Sequence, residues 1–164
     1  MKLEPFFFLL FLFVLIFAGI KYLYRSRAAT MRALAARWSL QYSDGDPQMW
    51  SAGRIDSPSL IALKMRTAFE MRCHPANAIS RVWNVIDGKR NGIRVLIFDS
   101  TVFEGKGRYC TFVATQTSEN LFKSDSSREK IAQCSGWTAA YRIRFIQIPW
   151  TLSITRIEEL LNNF

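Results

Sequence analysis

The first pattern along the chain is an apolar run over residues 6–20 that contains no charged side chain. Six of the thirteen phenylalanines of the chain lie within it. A helix through residues 6–24 rises about 28 Å, which is close to the thickness of the hydrocarbon layer of a bilayer. Tyr22 and Tyr24 suit the membrane interface at the end of this helix. The pattern therefore predicts a transmembrane anchor over residues 1–24.

A cleaved signal peptide and the core helix of a soluble protein are the two alternatives for this segment. Signal peptidase requires small residues at positions −3 and −1 of a cut site just beyond the apolar core. Ser26-Arg27-Ala28 has that small-x-small form, but it lies among basic residues, which are typical of an uncleaved anchor. A soluble core would have to cover six phenylalanines from one helix. The sequence favours a signal-anchor.

A helical pattern with a period of 3.6 residues comes directly after the apolar run. Its apolar positions recur at i, i+3, i+4 and i+7, namely Met31, Leu34, Ala35 and Trp38. Three arginines fall off this stripe, namely Arg27, Arg32 and Arg37. We predict a basic juxtamembrane helix over residues 25–38. Two interpretations stay open: the arginines face lipid headgroups while the stripe packs on a domain, or the helix is an ordinary first helix with a solvated basic face.

The period changes to two from residue 79 onward, which predicts β-strands. The alternating runs are residues 79–87, 93–99, 100–103, 109–115 and 137–145. The first two runs flank a predicted turn over residues 88–92, whose Asn91-Gly92 suits a turn with positive φ. The third and fourth flank a second glycine turn over residues 104–108. Two hairpins and a further strand predict an antiparallel sheet.

The remaining segments complete one predicted domain of the α+β class over residues 39–164. Residues 58–74 alternate in part as a strand does, and residues 43–47 form a cluster of turn residues. The polar stretch 123–130 is predicted to be a mobile loop. Thr155-x-x-Glu158 has the form of a capping box, which predicts a closing amphipathic helix. Its apolar positions are Ile157, Leu160, Leu161 and Phe164. We expect this helix to cover one face of the antiparallel sheet.

The net charge of +9 is concentrated beside the predicted anchor. Residues 21–43 hold five basic and no acidic side chains, whereas residues 44–164 contribute +4. Each basic residue near the surface adds about 1 kcal/mol of attraction to anionic lipid. The predicted membrane-surface contacts are Lys21, Arg25, Arg27, Arg32 and Arg37. The positive-inside rule then predicts that the C-terminal domain lies in the cytoplasm.

The other composition signals agree with this location and argue against a nucleic-acid partner. The aromatic residues of the domain are not interleaved with lysine and arginine in any pattern typical of nucleic-acid binding. Cys73, Cys110 and Cys134 are an odd number in a sizeable domain, which is typical of a compartment where thiols stay reduced. We therefore expect the partners to be the bilayer, anionic lipid headgroups and a protein, without nucleic acid.

No catalytic, cofactor or metal motif emerges from the sequence. His74 is the only histidine, and no serine lies in a Gly-x-Ser-x-Gly elbow. The cysteines and His74 lack the C-x-x-C spacing of a structural zinc site. Gly105-Lys-Gly-Arg108 lacks the Walker spacing and is predicted to be a basic hairpin tip. We therefore predict no catalytic, cofactor-binding or metal-binding residue.

Asp99 is the one residue that keeps an enzymatic alternative open. It is predicted to lie at a strand end, a position where carboxylate nucleophiles and metal ligands occur. Catalysis by a carboxylate pair would require a second acidic residue that its motif does not supply. The alternative function is thus a membrane-tethered enzyme that uses Asp99 with another acidic residue.

Several short motifs resemble those of uncharacterised bacterial membrane-anchored proteins with a small domain of unknown function. These motifs are Asn84-Val85, Gly88, Gly92, Val95, Phe98-Asp99, Trp150 and residues 156–161. The resemblance covers residues 30–161 and implies a membrane-tethered bacterial protein. Together with the patterns above, it predicts a single-pass membrane protein whose cytoplasmic domain acts by binding a partner.

Overall fold

A six-stranded antiparallel sheet and two helices make up the part of the chain that the structure describes. The computed structural model describes residues 4–44, 78–103, 108–117, 122, 129–134, 136–144 and 152–162. In chain order the elements are α1 (Glu4–Arg37), β1 (Gln41–Ser43), β2 (Ala78–Arg90), β3 (Ile93–Phe103), β4 (Arg108–Thr115), β5 (Glu129–Cys134), β6 (Trp137–Arg144) and α2 (Ile154–Leu161). The predicted α+β class is confirmed. The predicted strand within 58–74 lies outside the described residues.

The strands follow the order β1-β2-β3-β4-β6-β5, and each neighbouring pair is antiparallel. Both predicted hairpins are confirmed, because β2 pairs with β3 and β3 pairs with β4. Strand β6 confirms the predicted run near residue 137. Strand β5 is absent from the sequence prediction, and its first two residues fall within the stretch predicted to be a mobile loop. Its polar and short-chain residues carry little period-two signal, so its pairing with β6 is not visible in the sequence.

The first hairpin turn is shorter than predicted. Arg90 pairs with Ile93, so only Asn91 and Gly92 lie in the loop, at φ 50° and 82°. Two successive residues with positive φ are what a two-residue type I′ turn requires. Gly88 belongs to β2 instead of the turn. A Cβ atom there would lie 2.6 Å from Cδ2 of Leu40, so the glycine makes room for the chain that leaves α1.

Helix α1 is uninterrupted from Glu4 to Arg37, although its surroundings change along its length. The large apolar side chains from Phe6 to Leu23 are exposed, whereas Met31, Leu34 and Ala35 are buried. The helix ends in a Schellman arrangement, in which the N–H of Leu40 donates to the carbonyl of Ala35 at 2.8 Å. Ser39 takes the left-handed position at φ 54°. One helix is therefore both an exposed apolar rod and a part of the domain.

Both helices pack on the same face of the sheet. The buried residues of this layer come from α1, α2, the strands and the connecting segments, and they are Met31, Leu34, Ala35, Leu40, Ile86, Val95, Ile97, Val113, Phe122, Ala140, Leu152, Ile157, Leu160 and Leu161. The predicted stripes of both helices are confirmed at Met31, Leu34 and Ala35 and at the buried positions of α2. The segment predicted to be a separate juxtamembrane helix thus contributes to the domain core.

Helix α2 begins two residues earlier than the predicted capping box implies, so the box at Thr155 is wrong. Ser153 is the N-cap, with an extended backbone, and its hydroxyl accepts a hydrogen bond from the N–H of Arg156 at 3.1 Å. Thr155 already lies inside the helix. Ser153 supplies the same capping chemistry without a glutamate three residues later, so it does not match the box pattern.

Candidate functional site

The five basic residues predicted to contact the membrane surface have three different environments on α1. Lys21 and Arg25 are exposed, on the part of the helix that comes after the long apolar run. Their side chains lie on α1 next to Tyr22 and Tyr24, as the predicted interfacial position requires. Lys21 and Arg25 therefore stay the candidates for contact with lipid headgroups.

Arg32 and Arg37 are exposed but are engaged with acidic residues of the domain. Nη2 of Arg32 lies 3.1 Å from Oδ1 of Asp44, and its guanidinium lies 5.0 Å from the centre of the Tyr42 ring. Arg37 forms an ion pair with Glu158 of α2. Exposed pairs of this kind contribute at most about 1 kcal/mol each. These two arginines connect α1 to the chain segments that pack against it.

Arg27 is not at the surface, which corrects its predicted role as a membrane contact. Its residue exposure is 5%, and its guanidinium forms a two-point ion pair with Asp99, in which both N···O distances are 3.1 Å. The physical reason is helical geometry, since position 27 lies four residues before Met31 and therefore on the buried face. The spacing predicts a stripe that starts at Met31, whereas the buried face extends one turn further toward the apolar half.

Asp99 lies within β3 and not at a strand end, which corrects its predicted position. The residue is fully buried. Besides Arg27, its carboxylate accepts hydrogen bonds from Oγ1 of Thr111 at 2.6 Å and from Nδ2 of Asn84 at 2.9 Å. A carboxylate offers about four lone-pair positions, and these four contacts occupy them. Asp99 is thus a fully hydrogen-bonded anion, held in place by groups from α1 and from the two strands beside its own.

Asn84 reaches Asp99 because β2 is irregular at this point. The register between β2 and β3 shifts between Trp83 and Ile86, and Asn84 has a φ of 52°. Asparagine tolerates this left-handed backbone better than most residues. The hydroxyl of Tyr42 lies 2.9 Å from Oδ1 of Asn84, so the amide group connects the ion pair to β1. The bulge is therefore the feature that directs an amide into the site.

Tyr42 forms the outer edge of this network. Its hydroxyl also lies 2.9 Å from Oδ1 of Asp44, the exposed carboxylate that pairs with Arg32. Burial raises the pKa of Tyr42 above its ordinary value, and the hydrogen bond to Asp44 raises it further. The phenol therefore stays protonated and acts as a hydrogen-bond donor. We call the set Arg27, Asn84, Asp99, Thr111 and Tyr42 the buried polar cluster.

A pair of aromatic rings marks the end of the cluster nearest the apolar half of α1. The ring centres of Tyr24 and Trp83 lie 6.4 Å apart, and Tyr24 is one turn before Arg27. Trp83 is aligned with Asp99 in the pairing of β2 with β3. At the other end of the contact, Leu40 packs on Gly88. Contact between α1 and the sheet therefore runs from Tyr24 to the end of the helix.

The chemistry available to this arrangement is that of a structural ion pair. In the described part of the chain, the hydrogen-bond partners of Asp99 are an arginine, an asparagine and a threonine, without a second carboxylate. Among the same residues, no group of three or more His, Cys, Asp and Glu side chains is placed to hold a metal ion. Cys110 is a buried thiol outside any disulfide of the described residues, as its strand position suggests. Cys73 and His74 lie outside the described residues.

Comparison with protein-family models, curated proteins and solved structures found no match to this chain. The resemblance to bacterial membrane-anchored proteins therefore stays a prediction. The features of the molecule that bear on its function are the continuous helix α1 and the buried polar cluster beneath it.

Proposed function

We propose that this chain is a single-pass membrane protein that holds an α+β binding domain against the cytoplasmic face of the membrane. The proposal rests above all on the continuity of α1. The helix is long and apolar enough to span a membrane, its apolar side chains from Phe6 to Leu23 are exposed, and the same helix then enters the domain core. Exposed apolar area of this extent requires a cover, and a lipid bilayer is the cover that its length fits.

A binding role is favoured over a catalytic one by the state of Asp99. A general base or nucleophile needs a lone pair that can reach substrate, whereas all four positions on this carboxylate are occupied. The residue is also fully buried beneath α1. Asp99 therefore helps to hold α1 in place, and the domain acts by binding a protein partner at its surface.

The orientation is tested with a reporter fused after Phe164 in the full-length chain. We expect a reporter that works only in the cytoplasm to be active and one that works only after export to be inactive, because the basic residues near the span stay on the cytoplasmic side. Lys21→Glu with Arg25→Glu should weaken this preference, and both side chains are exposed on α1, so the fold should tolerate the change. Arg27 is left unchanged, because an acidic residue there would lie beside buried Asp99.

The matched control is Lys89→Glu, an exposed charge reversal on β2, near the end of the α1 contact that is distant from the apolar half. It should leave the reporter unchanged. A reporter that is active only after export would contradict the cytoplasmic orientation.

The binding role is tested by purification of the full-length protein in detergent, with residues 1–24 fused to an unrelated soluble domain as the control. We expect a protein to copurify in a fixed ratio with the full chain and not with the fusion. If the two samples retain the same proteins, the domain does not supply the binding surface and the proposed role is wrong.

A further inference from the structure

The part of the sheet around Trp83, which meets α1 where its apolar half ends, is placed to contact lipid directly. Contact with the domain starts at Tyr24, whose ring lies beside Trp83, and the preceding residue Leu23 is still 42% exposed. No spacer separates the exposed apolar side chains from the first contact with the sheet. Among the described residues, the contact of α1 with the sheet therefore begins where the apolar segment ends.

The length of the apolar segment sets the position of Tyr24 and Trp83 relative to the bilayer. Residues 5–23 rise about 28 Å as a helix, and a hydrocarbon layer of about 30 Å uses all of that length. Tyr24 then lies at the interface, and Trp83 lies at the same level because the two rings are in contact. Both residues are partly buried, so a part of each stays exposed, although Nε1 of the Trp83 indole is itself buried.

The residues at this level have the chemistry that a headgroup layer favours. Tryptophan and tyrosine are enriched at membrane interfaces, since their rings are apolar and carry one polar group. Lys21 and Arg25 are exposed on α1 within a turn of Tyr24 and match anionic headgroups. The ion pair between Arg27 and Asp99 fixes which face of the helix meets the sheet, and so keeps Trp83 on the same side.

We propose that Trp83, together with Tyr24, lies in the headgroup layer and that the part of the sheet around these two rings is a lipid-contacting surface. The inference rests on the proposed membrane anchoring. It adds that the domain contacts the bilayer through a residue of β2 and is not held away from it. The partner is the phospholipid bilayer, and the exposed cations at this level favour anionic headgroups.

The test uses the full chain in bilayer discs made with phospholipids whose acyl chains carry bromine close to the headgroup. Bromine quenches tryptophan emission only at short range. We expect brominated lipid to reduce the emission of the protein, and we expect Trp83→Phe to remove a measurable part of that reduction. Phenylalanine retains a ring beside Tyr24, so the substitution removes the tryptophan emission of residue 83 and changes the packing little.

Trp38→Phe is the matched control, because Trp38 lies about 21 Å beyond Tyr24 along the helix direction and its ring packs under Arg90. It should leave the absolute reduction in emission caused by bromine unchanged. A second variant, Phe13→Trp, reports on anchoring by itself, since residue 13 lies in the middle of the apolar segment. Its added emission should be quenched by bromine placed deep in the bilayer.

These variants distinguish failure of the anchor from failure of the lipid-contacting surface. If the emission of Phe13→Trp is not quenched, the anchor is not in the bilayer and the proposed function is wrong. If that emission is quenched but Trp83→Phe leaves the absolute reduction in emission caused by bromine unchanged, the protein is anchored and the lipid-contacting surface is wrong. Both variants are compared with the unaltered chain by thermal unfolding, so that a change in folding is recognised.

Discussion

Arg27 and Asp99 are the residues on which the placement of the helix depends. A buried ion pair is costly to desolvate, and its attraction repays that cost only with good geometry and further hydrogen bonds. Here the two-point contact and the bonds from Asn84 and Thr111 supply both. The net stability of the pair is therefore modest, whereas loss of one partner leaves a charge buried without compensation. The pair favours one rotation of α1 against the sheet over others.

Arg27→Ala should destabilise the fold by about 3–5 kcal/mol, because it leaves the carboxylate of Asp99 buried and unpaired. The free energy of unfolding can be measured with urea in mild detergent. Arg25→Ala is the control, since Arg25 is exposed two residues away on the same helix and its loss should change stability by no more than about 0.5 kcal/mol.

Arg27→Met with Asp99→Asn should recover part of the loss, because the double variant removes both buried charges. The amide oxygen introduced at position 99 can still accept the hydrogen bond from Thr111. A double variant whose loss of stability equals the sum of the losses for Arg27→Met and Asp99→Asn measured singly would show that the two side chains do not interact. An Arg27→Ala protein as stable as Arg25→Ala would show that the Arg27 side chain is not buried between α1 and the sheet.

The role of these residues is only partly predictable from the sequence. The stripe from Met31 onward follows from its spacing, and its extension by one turn places Arg27 on the buried face. The sequence nevertheless favours a surface position for an arginine, because charged residues are seldom buried without a partner. The partner, Asp99, is 72 positions away in sequence, and only the sheet register and the bulge at Asn84 bring it under the helix. Neither is visible from local periodicity.

Among the helices and strands, α1 is the one that belongs to both the proposed anchor and the domain. Composition changes sharply at Lys21, and for that reason the sequence suggests a separate anchor and juxtamembrane helix. The helical period continues through the change, and the structure has one helix. The antiparallel hairpins are predictable because Asn91-Gly92 and alternating β-branched residues are local signals. Strand β5 is not, since a short edge strand gains its stability from its neighbour.

A chain that starts at Arg25 should fold in solution, whereas a chain that starts at Ser39 should not. The shorter chain loses Met31 and Leu34, each of which contributes about 1.5–3 kcal/mol by burial, and it also leaves Asp99 unpaired. These losses are comparable with the total stability of a domain, about 5–15 kcal/mol. Thermal unfolding followed by circular dichroism distinguishes a cooperative transition from none.

Leu160→Asp in the longer chain gives the reference for a disrupted core, because it places a charge at a fully buried position of α2. A cooperative transition for the chain that starts at Ser39 would show that α1 is dispensable for the domain. Aggregation of the chain that starts at Arg25 would show that the domain depends on the apolar half of the helix.

The molecule as a whole is an apolar segment, which we propose to be a membrane anchor, and a domain that share one helix. Contacts between α1 and the rest of the domain occur along much of the helix. They run from the ring of Trp83 near the apolar half to Glu158 and Leu40 near the helix end. A domain attached by a flexible linker samples many orientations, whereas a domain built onto the anchor has few. A partner would therefore meet this domain close to the membrane and in a restricted orientation.

Cysteine accessibility along α1 in membranes distinguishes a shared helix from an anchor that is separate from the domain. Single cysteines are placed at Phe13, Val14, Ala29, Ala33 and Leu34 in a chain with its native cysteines replaced, and inverted vesicles are treated with a membrane-impermeant maleimide. We expect no labelling at the two positions within the apolar segment, because lipid covers every side of the helix there. Further along, we expect labelling at the two exposed alanines and none at buried Leu34 until the protein is denatured. Labelling at Phe13, or equal labelling at Ala33 and Leu34, would contradict a helix that spans the bilayer and then enters the domain core.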